Sequence, residues 1–309
     1  RGIVYSVTSE SANPVIGGAS VGRITAAGTT GLFAVTLGSL AHATNYSFRA
    51  YAINSLGTTY SPVANFITDP IPPIVDNPTV TNVTGTGAIL GGTVLSDGGD
   101  LIQYRGVVCS VTSVNSDPKI TDFNAVPLSI NGTTGVFAVS VIGLTQGTSY
   151  TFKAFAINSK GISYTAARSF TTPVAPTVTQ PSIDTASAYT GTVGGVVQSD
   201  NGSPIIERGA VCSLATVNQN PLIGGTGVTK VSTTGTTGGF SVVVGSLTPN
   251  TLYAFRIYAV NLGGTGYSAV SYFLTTSAAP FVSTGAAYPL ATGATIGGIV
   301  NAQDFATSS

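Results

Sequence analysis

The property that most constrains this chain is its internal period. Arg-Gly stands at Arg1-Gly2, Arg105-Gly106 and Arg208-Gly209, each followed by two apolar residues, Tyr or Cys, and then Ser. A second landmark, Leu-x3-Thr-x-Tyr, ends at Tyr46, Tyr150 and Tyr253, and Asn54, Asn158 and Asn261 each follow eight residues later. Both sets are spaced by 104 and then 103 residues, and the glycine pairs Gly91-Gly92, Gly194-Gly195 and Gly297-Gly298 recur every 103. Landmarks of different kinds sharing one period mean a tandem array of units, each of ordinary domain size.

Within a unit the hydrophobic period is two. Tyr150, Phe152, Ala154 and Ala156 alternate with polar or mixed positions, as do Tyr46, Phe48, Ala50, Ala52 and Tyr253, Phe255, Ile257, Ala259. That alternation predicts half-buried strands, and Gly, Asn, Asp and Pro punctuate between them, as in Asp97-Gly98-Gly99 and Asn131-Gly132. Short strands at regular spacing predict an all-β fold, a tandem array of immunoglobulin-like sandwiches of two antiparallel sheets. Proline marks the seams at Asp69-Pro70-Ile71-Pro72-Pro73, Pro173-Val174-Ala175-Pro176 and Ala278-Ala279-Pro280. Such links are short and stiff, which predicts a rod of beads. The expected divisions are a partial sandwich over 1–69, complete sandwiches over 70–172 and 173–276, and the first two strands of a further sandwich over 277–309.

The corner signature, clearest as Leu247-Thr-Pro249-Asn-Thr251-Leu-Tyr253, resembles the tyrosine corner of fibronectin type III domains. The unit is similar to the bacterial variety of that family, whose third strand carries Arg-Gly-x-x-aromatic-Ser. The resemblance spans the whole chain and implies the fold, with Tyr46, Tyr150 and Tyr253 as structural corner residues. The family's usual Trp is absent, which leaves each core to Tyr, Phe, Val, Ile and Ala.

Composition removes several function classes. Eleven Lys and Arg balance eleven Asp and Glu, and only 7% of residues are charged, against about 25% in an average domain. A neutral chain has no electrostatic reason to hold nucleic acid or an anionic bilayer. No apolar run reaches the roughly 18 residues of a membrane-spanning helix. Ser and Thr together make up about a quarter of the sequence.

Chemistry-bearing residues are few. The single His42 lies in a turn where the other repeats have Gln146 and Pro249. Cys109 and Cys212 share one strand position that Tyr5 fills in the first repeat, which predicts buried free thiols. Asp97 and Asp100 flank Gly98-Gly99, but turn chemistry explains them more simply than a calcium site wanting six to eight oxygens. There is no Arg-Gly-Asp tripeptide, no His/Cys metal spacing and no phosphate-binding glycine loop. Neither catalysis, nor a metal, nor a cofactor is expected. Asn45, Asn82, Asn131 and Asn201 open N-glycosylation patterns, and Asp184-Thr185-Ala186 resembles an O-glycosylation acceptor.

The surface reading concerns the corner strand. Alternation places Arg49, Tyr51 and Ile53, then Lys153, Phe155 and Ile157, then Arg256, Tyr258 and Val260, opposite the core. A cation with an aromatic once per period is expected to form a lateral contact stripe through Arg49, Tyr51, Lys153, Phe155, Arg256 and Tyr258. The partners expected are copies of the chain or neighbouring repeats of it, with surface glycans as a further class. Nucleic acid and membrane insertion are not expected.

Arg-Gly belongs to a third strand, and by the repeat spacing the next would fall near position 312. Two accounts fit: a window on a longer array, or subunits in which 281–309 of one chain completes 1–69 of the next. Function is expected to be that of a repeat segment in an extracellular bacterial filament, stalk or adhesin shaft. The alternative is a spacer or accessory binding module of a secreted polysaccharide-degrading enzyme.

Overall fold

The computed structural model describes residues 1–301. Among them 23 strands and no helix are found, and the strands pair antiparallel throughout. Two compact units divide the chain. One contains Arg1–Thr81, Ile89–Val141 and Tyr150–Phe170; the other contains Asn82–Ala88, Ile142–Ser149 and the chain from Thr171 onward.

The repeats share one plan, closed into a sandwich of two antiparallel sheets in the second and third. Each is built around a corner strand (Asn45–Asn54, Ser149–Asn158, Leu252–Asn261) paired with an Arg-Gly strand (Gly2–Val7, Tyr104–Val111, Glu207–Leu214). Two short strands add to the far edge of each corner strand and one to the far edge of the Arg-Gly strand, giving a five-stranded sheet. In the second repeat the facing sheet has three strands: a hairpin of Ile74–Thr81 and Gly87–Ser96, extended by Gly135–Ile142. In the third repeat the equivalents are Thr177–Ala186, Gly191–Ser199 and Gly238–Val244. These cover hairpins bulge at Asn77 and Gln180, both with φ just above 50°, which kinks the strand and twists it over the core.

The core lies between the two sheets. In the third repeat Val178, Val193 and Val197 of the cover hairpin meet Cys212, Phe255 and Ile257, all buried. Fully burying one such side chain contributes about 1.5–3 kcal/mol. The family's missing Trp is replaced by aromatic triads. Tyr253 stacks on Phe273 at 5.6 Å and Phe255 meets that ring edge-on at 5.9 Å. Tyr150, Phe170 and Phe152 repeat this geometry, as do Tyr46, Phe66 and Phe48.

Glycine pairs set the sheet spacing. A Cβ on Gly92 would lie 2.6 Å from Ala154 Cβ, and one on Gly195 3.0 Å from Ile257 Cγ1. A side chain at either position would push the cover hairpin off the corner strand.

The first repeat is open. Residues 1–69 form the five-stranded sheet alone. Residues 31–38, the counterpart of Gly135–Ile142, carry no strand although Phe33, Val35 and Leu37 keep the inward alternation. Without a cover hairpin beside it this segment has no ladder to join. Phe48 and Ala50 are only half-buried and Ala52 is exposed, whereas Phe152, Ala154 and Ala156 are fully buried at the same positions.

Candidate functional site

The corner strand's outer face, expected at the surface, is covered. Tyr51 is 3% exposed, Phe155 2% and Tyr258 0%. Each lies directly across the ladder from the glycine of an Arg-Gly pair: Gly2, Gly106 and Gly209 respectively. The glycine leaves room for the ring, since a Cβ on Gly209 would come within 2.9 Å of the Tyr258 hydroxyl and one on Gly2 within 2.7 Å of that of Tyr51.

A loop folds over this face in every repeat. The Tyr60, Tyr164 and Tyr267 hydroxyls accept hydrogen bonds from the backbone N–H of Ile16, Ile120 and Ile223 at 2.9, 3.2 and 3.1 Å. Arg49 stacks over Tyr60, donates through Nε to Ser61 O and reaches Asn13 Oδ1. Arg256 repeats this with Tyr267, Ser268 O and Asn220 Oδ1. Lys153 lies over Tyr164 and pairs with Asp117. That contact holds the Asp117 carboxyl below its ordinary pKa.

The expected lateral stripe is therefore corrected. Of its six residues, the aromatics Tyr51, Phe155 and Tyr258 form a second, smaller core, and Arg49, Lys153 and Arg256 fasten the loop above it. The physical reason is that one residue per period on this face is too large and apolar to be left in water. An aromatic platform for glycans on these rings is removed by the same burial. Sequence reasoning missed the loop itself. Its signal was present as Asn13-Pro14, Asp117-Pro118 and Asn220-Pro221 at the repeat spacing, with the proline buried each time.

Tyr258 also donates to Glu207. Burial, reinforced by that carboxylate, raises the phenol far above its ordinary pKa. Lys230, 2.7 Å away, and then Tyr258 hold Glu207 below its own.

The arginines of the Arg-Gly pairs serve the turn across the sandwich. Arg1 stacks on Phe33 and binds the carbonyls of Ala27, Thr30 and Gly31. Arg105 stacks on Phe137 and reaches Thr133 O; Arg208 stacks on Phe240 and reaches Thr236 O. The corner tyrosines are buried: Tyr46 Oη accepts from the Ala41 N–H and Tyr253 Oη from the Thr248 N–H, at 3.0 and 2.9 Å. Tyr150 is 7% exposed and stacks on Phe170.

The remaining reactive groups are inert or engaged. Cys109 and Cys212 are free and buried, and burial pushes their thiols up to about 11 and about 12. A thiol held protonated is a poor nucleophile. His42 is exposed in its turn. Asp97 Oδ1 accepts from the Gly99 N–H and Asp100 Oδ2 from the Ser159 N–H; the Ser159 side chain, and then that backbone bond, lower the Asp100 pKa. Among the described residues no three His, Cys, Asp or Glu side chains cluster as metal ligands, and no helix is long and apolar enough to cross a membrane.

No family model matches this chain, and neither does any curated protein. Among solved structures it is similar to the FN1–FN3 domains of chicken CNTN1, at 18% identity over 89% of this chain and 88% of that one, with a TM-score of 0.38.

Proposed function

We propose that the chain is a non-enzymatic structural segment, an array of fibronectin type III-like modules in an extracellular bacterial filament, stalk or adhesin shaft. The modules are those of the sequence divisions, at 1–69, 70–172, 173–276 and 277 onward. The observation that carries this reading is where the recurrent polar groups go. In the second and third repeats the Arg, Lys, Asn and Tyr side chains that return with the period are engaged within their own sandwich, fastening a loop, a turn or a linker. A binding or catalytic module keeps part of that inventory facing outward. A spacer needs it for rigidity.

Electron microscopy of the native material, with antibody raised against the recombinant chain, tests the reading. Label along a filament or stalk at the cell surface supports it. Label confined to the cytoplasm, or co-purification with a polysaccharide-degrading activity, overturns it.

A further inference from the structure

The turn clamped by each Arg-Gly arginine carries a recurrent motif. Gly-Thr-Thr-Gly stands at Gly28–Gly31, Gly132–Gly135 and Gly235–Gly238, preceded by Ala27, Asn131 and Thr234 respectively. In the first repeat Arg1 donates through Nε to the residue ahead of the motif, Ala27 O at 3.0 Å, and in the third Arg208 does so to Thr234 O at 3.4 Å. In the second, Arg105 holds Thr133 O through Nη1, but its Nε is buried without a partner. The residue left unheld is Asn131.

Asn131 is also the member of the set whose side chain is reactive. It is exposed, and neither its amide nor the N–H of Gly132 makes a hydrogen bond among the described residues. With both groups free, the glycine nitrogen can reach the side-chain carbonyl carbon, because glycine has no Cβ to stand in the way. The other Asn-Gly pair supplies a contrast within the same chain. Asn201 is exposed too, but it donates through Nδ2 to Ala175 O at 2.6 Å and lies 3.3 Å from Thr177 Oγ1, while Gly202 donates its N–H to Asp200 Oδ1 at 3.0 Å. There the leaving amide and the attacking nitrogen are both held.

We infer that Asn131 is a site of spontaneous covalent modification, deamidation through a cyclic imide. The Gly132 nitrogen forms a bond to Asn131 Cγ and gives up its proton; the Cγ–Nδ2 bond breaks, and ammonia leaves with that proton. Water then opens the ring. Cleavage of the new bond to nitrogen gives Asp, and cleavage at the backbone carbonyl gives isoaspartate, in which the chain runs through the side-chain carbon. The balance is one water consumed and one ammonia released, with no oxidant or reductant. The new carboxylate arises beside a cation. A Cβ on Gly132 would lie 2.4 Å from Arg105 Nε, so the neighbouring residue gains its negative charge next to a guanidinium with a donor to spare. Charge-assisted bonds of this kind are about twice as strong as neutral ones.

The test uses the purified 309-residue polypeptide, incubated in mildly alkaline buffer both folded and in urea. Trypsin then places Asn131 and Asn201 on separate peptides, 120–153 and 169–208, and mass spectrometry reads the replacement of amide by acid on each. In the folded chain Asn131 is expected to convert at least ~10-fold faster than Asn201, since the bonds holding Asn201 and Gly202 must break first. In urea the two rates are expected to converge. Methyl transfer to peptide 120–153 by an isoaspartyl methyltransferase identifies the isoaspartate product. Asn131→Gln, which moves the carbonyl carbon one methylene away from the Gly132 nitrogen, is expected to abolish the fast conversion of that peptide with the circular dichroism unchanged. Equal rates at the two sites in the folded chain, faster conversion of Asn201, a ratio unchanged by urea, or fast conversion that persists in Asn131→Gln overturns the inference. These outcomes concern the turn alone and do not depend on where the chain works.

Discussion

Asn261 and Asn54 stand at one position in two repeats and give an internal control on how the modules are fastened. Asn261 is 3% exposed. Its Nδ2 lies within hydrogen-bond distance of the carbonyls of Val174, Asp200 and Ser203, at 2.9, 2.8 and 3.3 Å, and its Oδ1 accepts from the Gly263 N–H at 2.7 Å. Truncation to Ala strands these backbone groups. Each lost bond is worth about 1 kcal/mol net, and a buried group left unpaired costs about 1–3 kcal/mol. Water admitted to the vacated space recovers part of that, so Asn261→Ala is expected to destabilise the third repeat by about 3 kcal/mol. Asn54 is exposed and accepts only from Leu56 and Gly57 of its own turn, so Asn54→Ala should cost under about 1 kcal/mol.

Hydrogen exchange read by mass spectrometry localises the effect. Amides of Leu252–Asn261 and Gly191–Ser199 should lose roughly two orders of magnitude in protection in Asn261→Ala, while Asn54→Ala leaves Asn45–Asn54 within a factor of five of the parent. Equal losses at the two positions would refute the idea that the asparagine acts by bonding the linker, and would leave the turn it caps as its whole role.

Three further outcomes follow from the same contacts. Phe155→Ser should destabilise the second repeat by about 4 kcal/mol in urea unfolding; a variant as stable as the parent would restore the ring to the surface. Cys212 gives an alkaline dependence: between pH 9 and about 12 the unfolded thiol has lost its proton while the folded one keeps it, so stability falls as pH rises. About 2 kcal/mol is lost by roughly pH 10.5, and Cys212→Val should remove that slope when urea midpoints at pH 8 and 10.5 are compared. Glu207 acts oppositely, its lowered pKa supplying stability above the unfolded value that is lost as pH falls through the folded one. Because the carboxylate is partly solvated, Glu207→Gln should reduce the acid sensitivity of the third repeat by under about 1 kcal/mol, measured by thermal unfolding at pH 3.5 and 7.

The strands were legible because alternation and period are written into adjacent residues. Tyr253, Phe255, Ile257 and Ala259 announce an inward face whatever lies across from it. The outer face was misread for the converse reason. Alternation says that Tyr258 points away from Phe255, but not that residues 215–228 return over it. Covering depends on a distant Asn-Pro and on a glycine across the ladder, a relation among three segments that no single window contains. Arg-Gly was visible as a landmark and opaque as a mechanism: the arginine serves one face and the glycine the other.

The low charge has a structural meaning that composition alone concealed. Among the described residues three ion pairs are found, while Arg1, Arg49, Arg105, Arg168, Arg208 and Arg256 all bind backbone carbonyls. A guanidinium is suited to this, since its fork of donors can hold two or three carbonyls of one turn while its plane stacks on a ring. Such bonds are screened by salt less than exposed ion pairs are, so the sandwiches keep their rigidity without a dense field of surface charge. Edge strands are ordinarily guarded by charge. The hairpin Phe281–Asn301 carries none, and the strands it resembles in the earlier repeats are both paired and covered.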